Sequence, residues 1–283
     1  MLAQPLALAS CSTSGQAIAM SKESAVPSSP SPAPDAAKLF FDDGGPPGKV
    51  PVVFLHASGG DTKHFAAQLA HLRRSRRAIA VDLPGHGQSP PAASFEIPQV
   101  AAVLEQALAA RGLDRVVLVG HSWGGAVALA LAAKAPQRVA GLLLLDPASD
   151  GSRMPKLEAD GLMESLRTNY DAVLEDYWSS MLQGATPTVR ERLMREIKAA
   201  PREVVTGTLA SLLTFDPLPA LQRYRGARRT IFTHLNERPE AYQRIAKDLP
   251  SQRIDGTGHW LQLDKPDEIN AAIDDFLTEV DPH

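Results

Sequence analysis

Gly120-His121-Ser122-Trp123-Gly124 follows the apolar run Val116-Val117-Leu118-Val119 and precedes an alanine- and leucine-rich run over residues 126–135. The first run reads as a buried strand and the second as a helix. A serine at the apex of so sharp a strand-to-helix turn is lifted above the sheet in a strained backbone conformation. Glycine two residues to either side leaves room for the crossing chain, and Gly125 extends that room. The helix starts directly behind Ser122, so its first amides and its positive end face any oxyanion that forms there. Strand, G-x-S-x-G, helix is the arrangement of a nucleophile elbow.

Around this turn lie 283 residues, 44% hydrophobic and 22% charged. Such a chain builds one large α/β domain, or one domain with an insertion. The net charge is -3 and there is no basic stripe, so nucleic acid is not an expected partner; a small-molecule substrate is. Cys11 is the single cysteine, which excludes an internal disulfide framework and a thiolate metal cluster. No H-x-x-x-H spacing suggests a metal, and no cofactor is implied. No apolar run reaches the ~20 residues of a membrane-spanning helix.

Residues 1–37 differ in composition from the rest. Residues 21–34 are rich in Ser, Pro and Ala, with Pro27, Pro30, Pro32 and Pro34 crowded together, and read as a solvated tether. Ahead of them, Leu8-Ala9-Ser10-Cys11 resembles the lipobox of bacterial lipoproteins, which would place a lipid anchor at Cys11. Against that, residues 1–10 carry no Lys or Arg, and an export signal begins with them. A cytoplasmic location is the first reading, with a lipid-anchored or exported bacterial protein as the alternative.

Strand and helix patterns alternate from there. Lys38-Leu39-Phe40-Phe41 reads as a short edge strand, residues 50–55 and 78–81 as inner strands, and residues 64–72 as a helix. Val100, Val103, Leu104, Ala107 and Leu108 mark an amphipathic helix over 97–110, ended by Gly112. A strand over 141–145 follows the elbow helix. After Asp146-Pro147 the alternation stops. Residues 157–213 are helical in character, with Pro155, Pro187 and Pro201 as breaks. Strand signals return at 230–233 and, weakly, at 253–254, and a last helix runs over 266–277 with Pro266 in its first turn. The pattern predicts an α/β fold: a doubly wound, mostly parallel sheet with an inserted helical cap. The expected division is a tether over 1–37, a core over 38–148 and 217–283, and a cap over 149–216.

Four motifs, in order, carry a resemblance to the α/β-hydrolase superfamily over about five-sixths of the chain. Phe54-Leu55-His56-Ala57-Ser58-Gly59-Gly60 resembles the His-Gly oxyanion loop, with alanine where glycine is usual. Residues 82–89 resemble the D-x-x-G-x-G-x-S loop. The elbow is the third, and Gly256-Thr257-Gly258-His259-Trp260 resembles the G-x-G-H loop that holds the catalytic histidine.

A serine hydroxyl attacks only when a base takes its proton. His259, in a glycine-flexed loop ahead of the last helix, is the expected base for Ser122. In relatives the acid commonly follows the strand at 230–233. Here that loop reads His234-Leu235-Asn236-Glu237-Arg238-Pro239, without an aspartate. Asp146, at the carboxyl end of the strand after the elbow helix, is the first candidate acid, and Glu237 the alternative. Asn236 could orient a neutral imidazole but not balance an imidazolium. By the elbow rule one oxyanion donor is the amide of Trp123; the resemblance selects Ser58 for the other. His56 and the cap residues Tyr170, Tyr177, Trp178, Leu182 and Phe215 are the expected substrate contacts. Asp216 resembles a structural aspartate where the chain returns from the cap. The expected reaction is hydrolysis of a carboxylic ester or related acyl compound. Carbon–carbon hydrolysis, cofactor-free perhydrolysis and a non-catalytic ligand-binding role on the same fold are the alternatives.

Overall fold

The computed structural model describes residues 38–281. The tether, Cys11 and the readings that rest on them lie outside the described residues. Strands are β1 (Phe41–Gly44), β2 (Val52–Leu55), β3 (Ala78–Val81), β4 (Val116–His121), β5 (Val139–Leu145), β6 (Ala227–Phe232) and β7 (Ser251–Arg253). Helices are α1 (Ala66–Leu72), α2 (Ile97–Ala109), α3 (Trp123–Lys134), α4 (Lys156–Thr168), α5 (Tyr170–Met181), α6 (Pro187–Ala199), α7 (Arg202–Thr214), α8 (Leu218–Arg223), α9 (Tyr242–Ile245), α10 (Leu261–Asp264) and α11 (Pro266–Val280).

The strands form one sheet in the order β1-β3-β2-β4-β5-β6-β7, antiparallel only between β1 and β3. All seven residues of β5 are buried, because both faces of the sheet are covered. Alternate side chains go to opposite layers. Leu118, Leu142 and Leu144 pack with residues of α2 and α3, whereas Val117, Val119, Leu143 and Leu145 pack with residues of α1 and α11. Each such side chain contributes about 1.5–3 kcal/mol by leaving water. From β2 the chain goes to β3 on one side and then returns to β4 on the other. That reversal leaves a crevice at the carboxyl ends of β2 and β4, the place where open α/β sheets bind ligands.

Several boundaries differ from the sequence expectation. The edge strand begins at Phe41, not Lys38. Leu39 is buried in the core, and the pairing segment carries Asp42 and Asp43, whose ion pairs with Arg73 (2.7 Å) and Arg77 (2.6 Å) hide its strand character. The helix expected from His64 opens with a 3-10 turn over Thr62–Phe65, capped by Asp61. The strand before Thr230 begins at Ala227, because Arg228 and Arg229 obscure it. The Arg228 guanidinium donates to the carbonyls of Leu221 and Tyr224, and Arg229 pairs with Asp275 and Glu279.

Between β5 and β6 stand the four cap helices α4 to α7. Pro187 opens α6 and Pro201 immediately precedes α7, so these prolines start helices instead of interrupting them. The break between α4 and α5 falls at Asn169, which leaves helical geometry at φ -138° and carries no proline signal. Leu166, Leu174, Trp178, Leu182, Leu193 and Ile197 form the cap's apolar cluster, joined from the core by Trp260. The Asp216 carboxylate accepts from the Leu218 amide at 2.9 Å and caps α8 where the chain returns. No helix among the described residues is long and apolar enough to cross a membrane.

Candidate active site

Ser122 stands between β4 and α3 at φ 54°, ψ -120°. Among the described residues only it and Asp146 (φ 38°) have positive φ without being glycine. Both sit at the carboxyl ends of adjacent strands, so the backbone strain of the core is concentrated at one spot. A Cβ on Gly124 would stand 2.3 Å from the carbonyl oxygen of His56 and 2.6 Å from that of Leu55. Only glycine lets α3 start this close to the end of β2.

Asp146 is fully buried and its carboxylate accepts four hydrogen bonds. Oδ1 takes the Thr233 amide (2.8 Å) and Asn236 Nδ2 (3.0 Å); Oδ2 takes the Thr233 hydroxyl (3.0 Å) and His259 Nδ1 (2.6 Å). Both carboxylate oxygens are thus fully provided with donors inside the protein. With Nδ1–H donated to Asp146, the His259 Nε2 is left with its lone pair, as a base requires. His259 is held in place by its amide, which donates to Met181 of α5 (2.8 Å), and by its carbonyl, which accepts from His121 Nε2 (2.9 Å). Ser122 and His259 line the same cavity of about 290 Å³, and together with Ser58 they line a smaller niche beside it. No hydrogen bond joins the Ser122 hydroxyl to His259 among the described residues; such contacts are commonly long before a substrate arrives.

Glu237, the alternative acid, is elsewhere: it is exposed and pairs with Arg253 at 2.6 Å. Four expected substrate contacts lie away from the cavity of Ser122, one of them Leu182, which is buried in the cap's apolar cluster. His56 is completely buried and spends both ring nitrogens on backbone, Nδ1–H to the Ala57 carbonyl (2.8 Å) and Nε2 accepting from the Leu83 amide (2.9 Å). Tyr170 lies under the Arg202 guanidinium (4.7 Å), and Phe215 packs against the core cluster; neither lines the cavity of Ser122. Tyr177 and Trp178 do line it, with leucines of α4, α5 and α7 that the sequence reading did not name. Trp123 is fully buried, its indole donating to Ser211 (2.9 Å) and stacked on His86, so its side chain is core.

The Trp123 amide, first in its helix, has no intrahelical acceptor. No protein acceptor takes the Ser58 amide among the described residues. The Ser58 hydroxyl meets Thr208 of α7 at 2.5 Å, which ties this loop to the cap. His86 Nε2 accepts from the Gly59 amide (3.2 Å) and holds the same loop from the other side.

Burial holds His56 and His121 well below the usual histidine range, and lowers His86 from 6.5 to about 4. Each is neutral in the folded state and would bind protons on unfolding. A group with a depressed folded pKa contributes stability above its unfolded value and loses it as pH falls toward the folded one. For His86 the window runs from about pH 6.5 down to about 4. Denaturant titrations should therefore show roughly 2 kcal/mol lost through His86 between about pH 7.5 and pH 5, with His56 and His121 acting in the same direction. A flat stability profile over that interval would contradict the neutral, buried assignment.

The Alpha/beta hydrolase family matches residues 52–272, and the chain belongs to it. Among curated proteins, the dihydrolipoyllysine-residue acetyltransferase component of the acetoin cleaving system of Cupriavidus necator is 36% identical over 40% of this chain and 31% of its own length. The sn-1-specific diacylglycerol lipase ABHD11 of Mus musculus is 28% identical, over 80% of each chain. The chain thus spans less than a third of the first relative and four-fifths of the second. Among solved structures, a thermophilic esterase from Thermogutta terrifontis superposes with a TM-score of 0.71 at 26% identity, covering 86% of this chain and 93% of that one.

Proposed function

We propose that the protein is a serine hydrolase that cleaves a carboxylic ester through Ser122, His259 and Asp146. The observation that carries this reading is the buried 2.6 Å contact of Asp146 with His259, whose ring shares a cavity with Ser122. His259 Nε2 takes the Ser122 proton as the hydroxyl oxygen attacks the ester carbonyl. The amides of Ser58 and Trp123 donate to the tetrahedral oxyanion; removing one such donor typically costs about 3 kcal/mol of barrier lowering. His259 then protonates the leaving alcohol. Water, deprotonated by the same imidazole, releases the acid and restores Ser122. Asp146 orients the ring and balances its charge while it holds the proton. The cap supplies the apolar wall and excludes bulk water.

Short-chain p-nitrophenyl esters provide the test. The wild type should turn over with an acyl-enzyme burst, and Ser122→Ala should fall to the uncatalysed background while melting at the same temperature. Equal rates from the two proteins would defeat the assignment.

A further inference from the structure

We propose that the substrate carries a carboxylate at the end remote from its scissile ester, and that Arg238 receives it at the cavity mouth. The proposal rests on the serine hydrolase reading of the same cavity. Ser122 and His259 are 8% and 2% exposed and form its floor, whereas Arg238 is exposed and stands at its rim. Between them the wall is mostly leucine, methionine and aromatic side chains. Arg238 is the one Lys or Arg among the lining residues, and no Asp or Glu lines the cavity with it.

The guanidinium has no ion pair or hydrogen bond among the described residues. None of the neighbouring acids pairs with it: Glu237 pairs with Arg253 at 2.6 Å, Asp150 pairs with Arg153 at 2.8 Å, and Glu240 makes no ion pair with Arg238 among the described residues. The phenol of Tyr177, on the same wall, lies close enough to feel the Arg238 charge. A cation facing a largely apolar chamber is a receptor for an anion, and its planar fork suits a carboxylate in bidentate geometry. One positive charge balances one negative charge. A dianionic phosphate would leave a net charge beside apolar side chains, which is costly. A chamber of about 290 Å³ lies at the small end of ligand pockets, so the apolar spacer is short. The substrate class is therefore the half-ester of a short dicarboxylic acid, which hydrolysis converts with one water to the diacid and the alcohol.

Binding is measured in Ser122→Ala protein, so that the outcome does not depend on turnover. Calorimetry compares the monomethyl and dimethyl esters of adipate, suberate and sebacate, with hexyl phosphate as a third arm. A rim-exposed pair is worth up to about fivefold in affinity, so the best monomethyl ester should bind about fivefold tighter than its dimethyl counterpart. Arg238→Gln, a substitution at an exposed position, should erase the difference without moving the melting temperature. Equal binding of the two esters, binding of neither, or a preference that survives Arg238→Gln overturns the proposal. Tighter binding of hexyl phosphate overturns the choice of carboxylate. Failure of the hydrolase reading would appear separately, as absence of the acyl-enzyme burst in the wild type.

Discussion

Replacing Asp146 by Asn should reduce kcat on a p-nitrophenyl ester at least a hundredfold, and Glu237→Gln should leave it within about twofold. The asymmetry follows from position. Asp146 Oδ2 lies 2.6 Å from His259 Nδ1, whereas the Glu237 carboxylate is exposed on Arg253. An Asn amide can present its oxygen to His259, but it removes the negative charge that stabilises the imidazolium, and its nitrogen competes with Thr233 and Asn236 for the same space. The loss should fall on kcat more than on KM, because the charge is needed only once the proton has moved. Steady-state kinetics of both variants decide this. Small and equal effects would remove Asp146 from the mechanism.

Gly124→Ala should destabilise the protein by about 3 kcal/mol or more, at the upper end for a single added methyl group. The new Cβ would stand 2.3 Å from the carbonyl oxygen of His56 and 2.6 Å from that of Leu55. Both obstacles are backbone, so no rotamer change relieves the clash. Relief requires α3 to retreat from β2, which also carries the Trp123 amide away from the Ser58 loop. Urea denaturation should show a lowered midpoint, and whatever folds should have lost activity as well. A variant with wild-type stability would mean that α3 and the end of β2 are not in contact as described.

The parts of this molecule that were legible in its sequence are those where one physical demand leaves one residue type. The elbow is spelled by its glycines because backbone passes within van der Waals distance of Gly120 and Gly124. The inner strands show as unbroken apolar runs because both faces are covered, as the full burial of β4 and β5 demonstrates. Where two demands compete, the spelling blurs. Arg228 and Arg229 sit in a strand because their long side chains reach carbonyls and acids beyond the sheet, so the start of β6 does not read as strand. His56 is adjacent to the oxyanion loop in sequence, but adjacency does not say on which side of the loop a ring packs.

The cap was the least legible region. Helices α4 to α6 are rich in charge, and helical spacing does not reveal which of Tyr170, Tyr177 and Phe215 faces the cavity. Of the partners of Asp146, Asn236 left the clearer trace: an amide in the loop where relatives commonly carry the acid, here donating to Asp146 Oδ1 at 3.0 Å. Thr233 left none, since a threonine after a strand has many uses. His64 gave no signal, yet it is buried and meets Glu196 of the cap at 2.9 Å, a pairing across residues far apart in the chain that local pattern does not encode.

The most direct test is the site of covalent attack. Intact protein treated with a fluorophosphonate, then digested and analysed by mass spectrometry, should carry one adduct on Ser122, and His259→Ala should label more slowly by about a hundredfold or more. Folded protein that stays unlabelled, or whose Ser122 labels equally fast without His259, would contradict the pairing of these two residues.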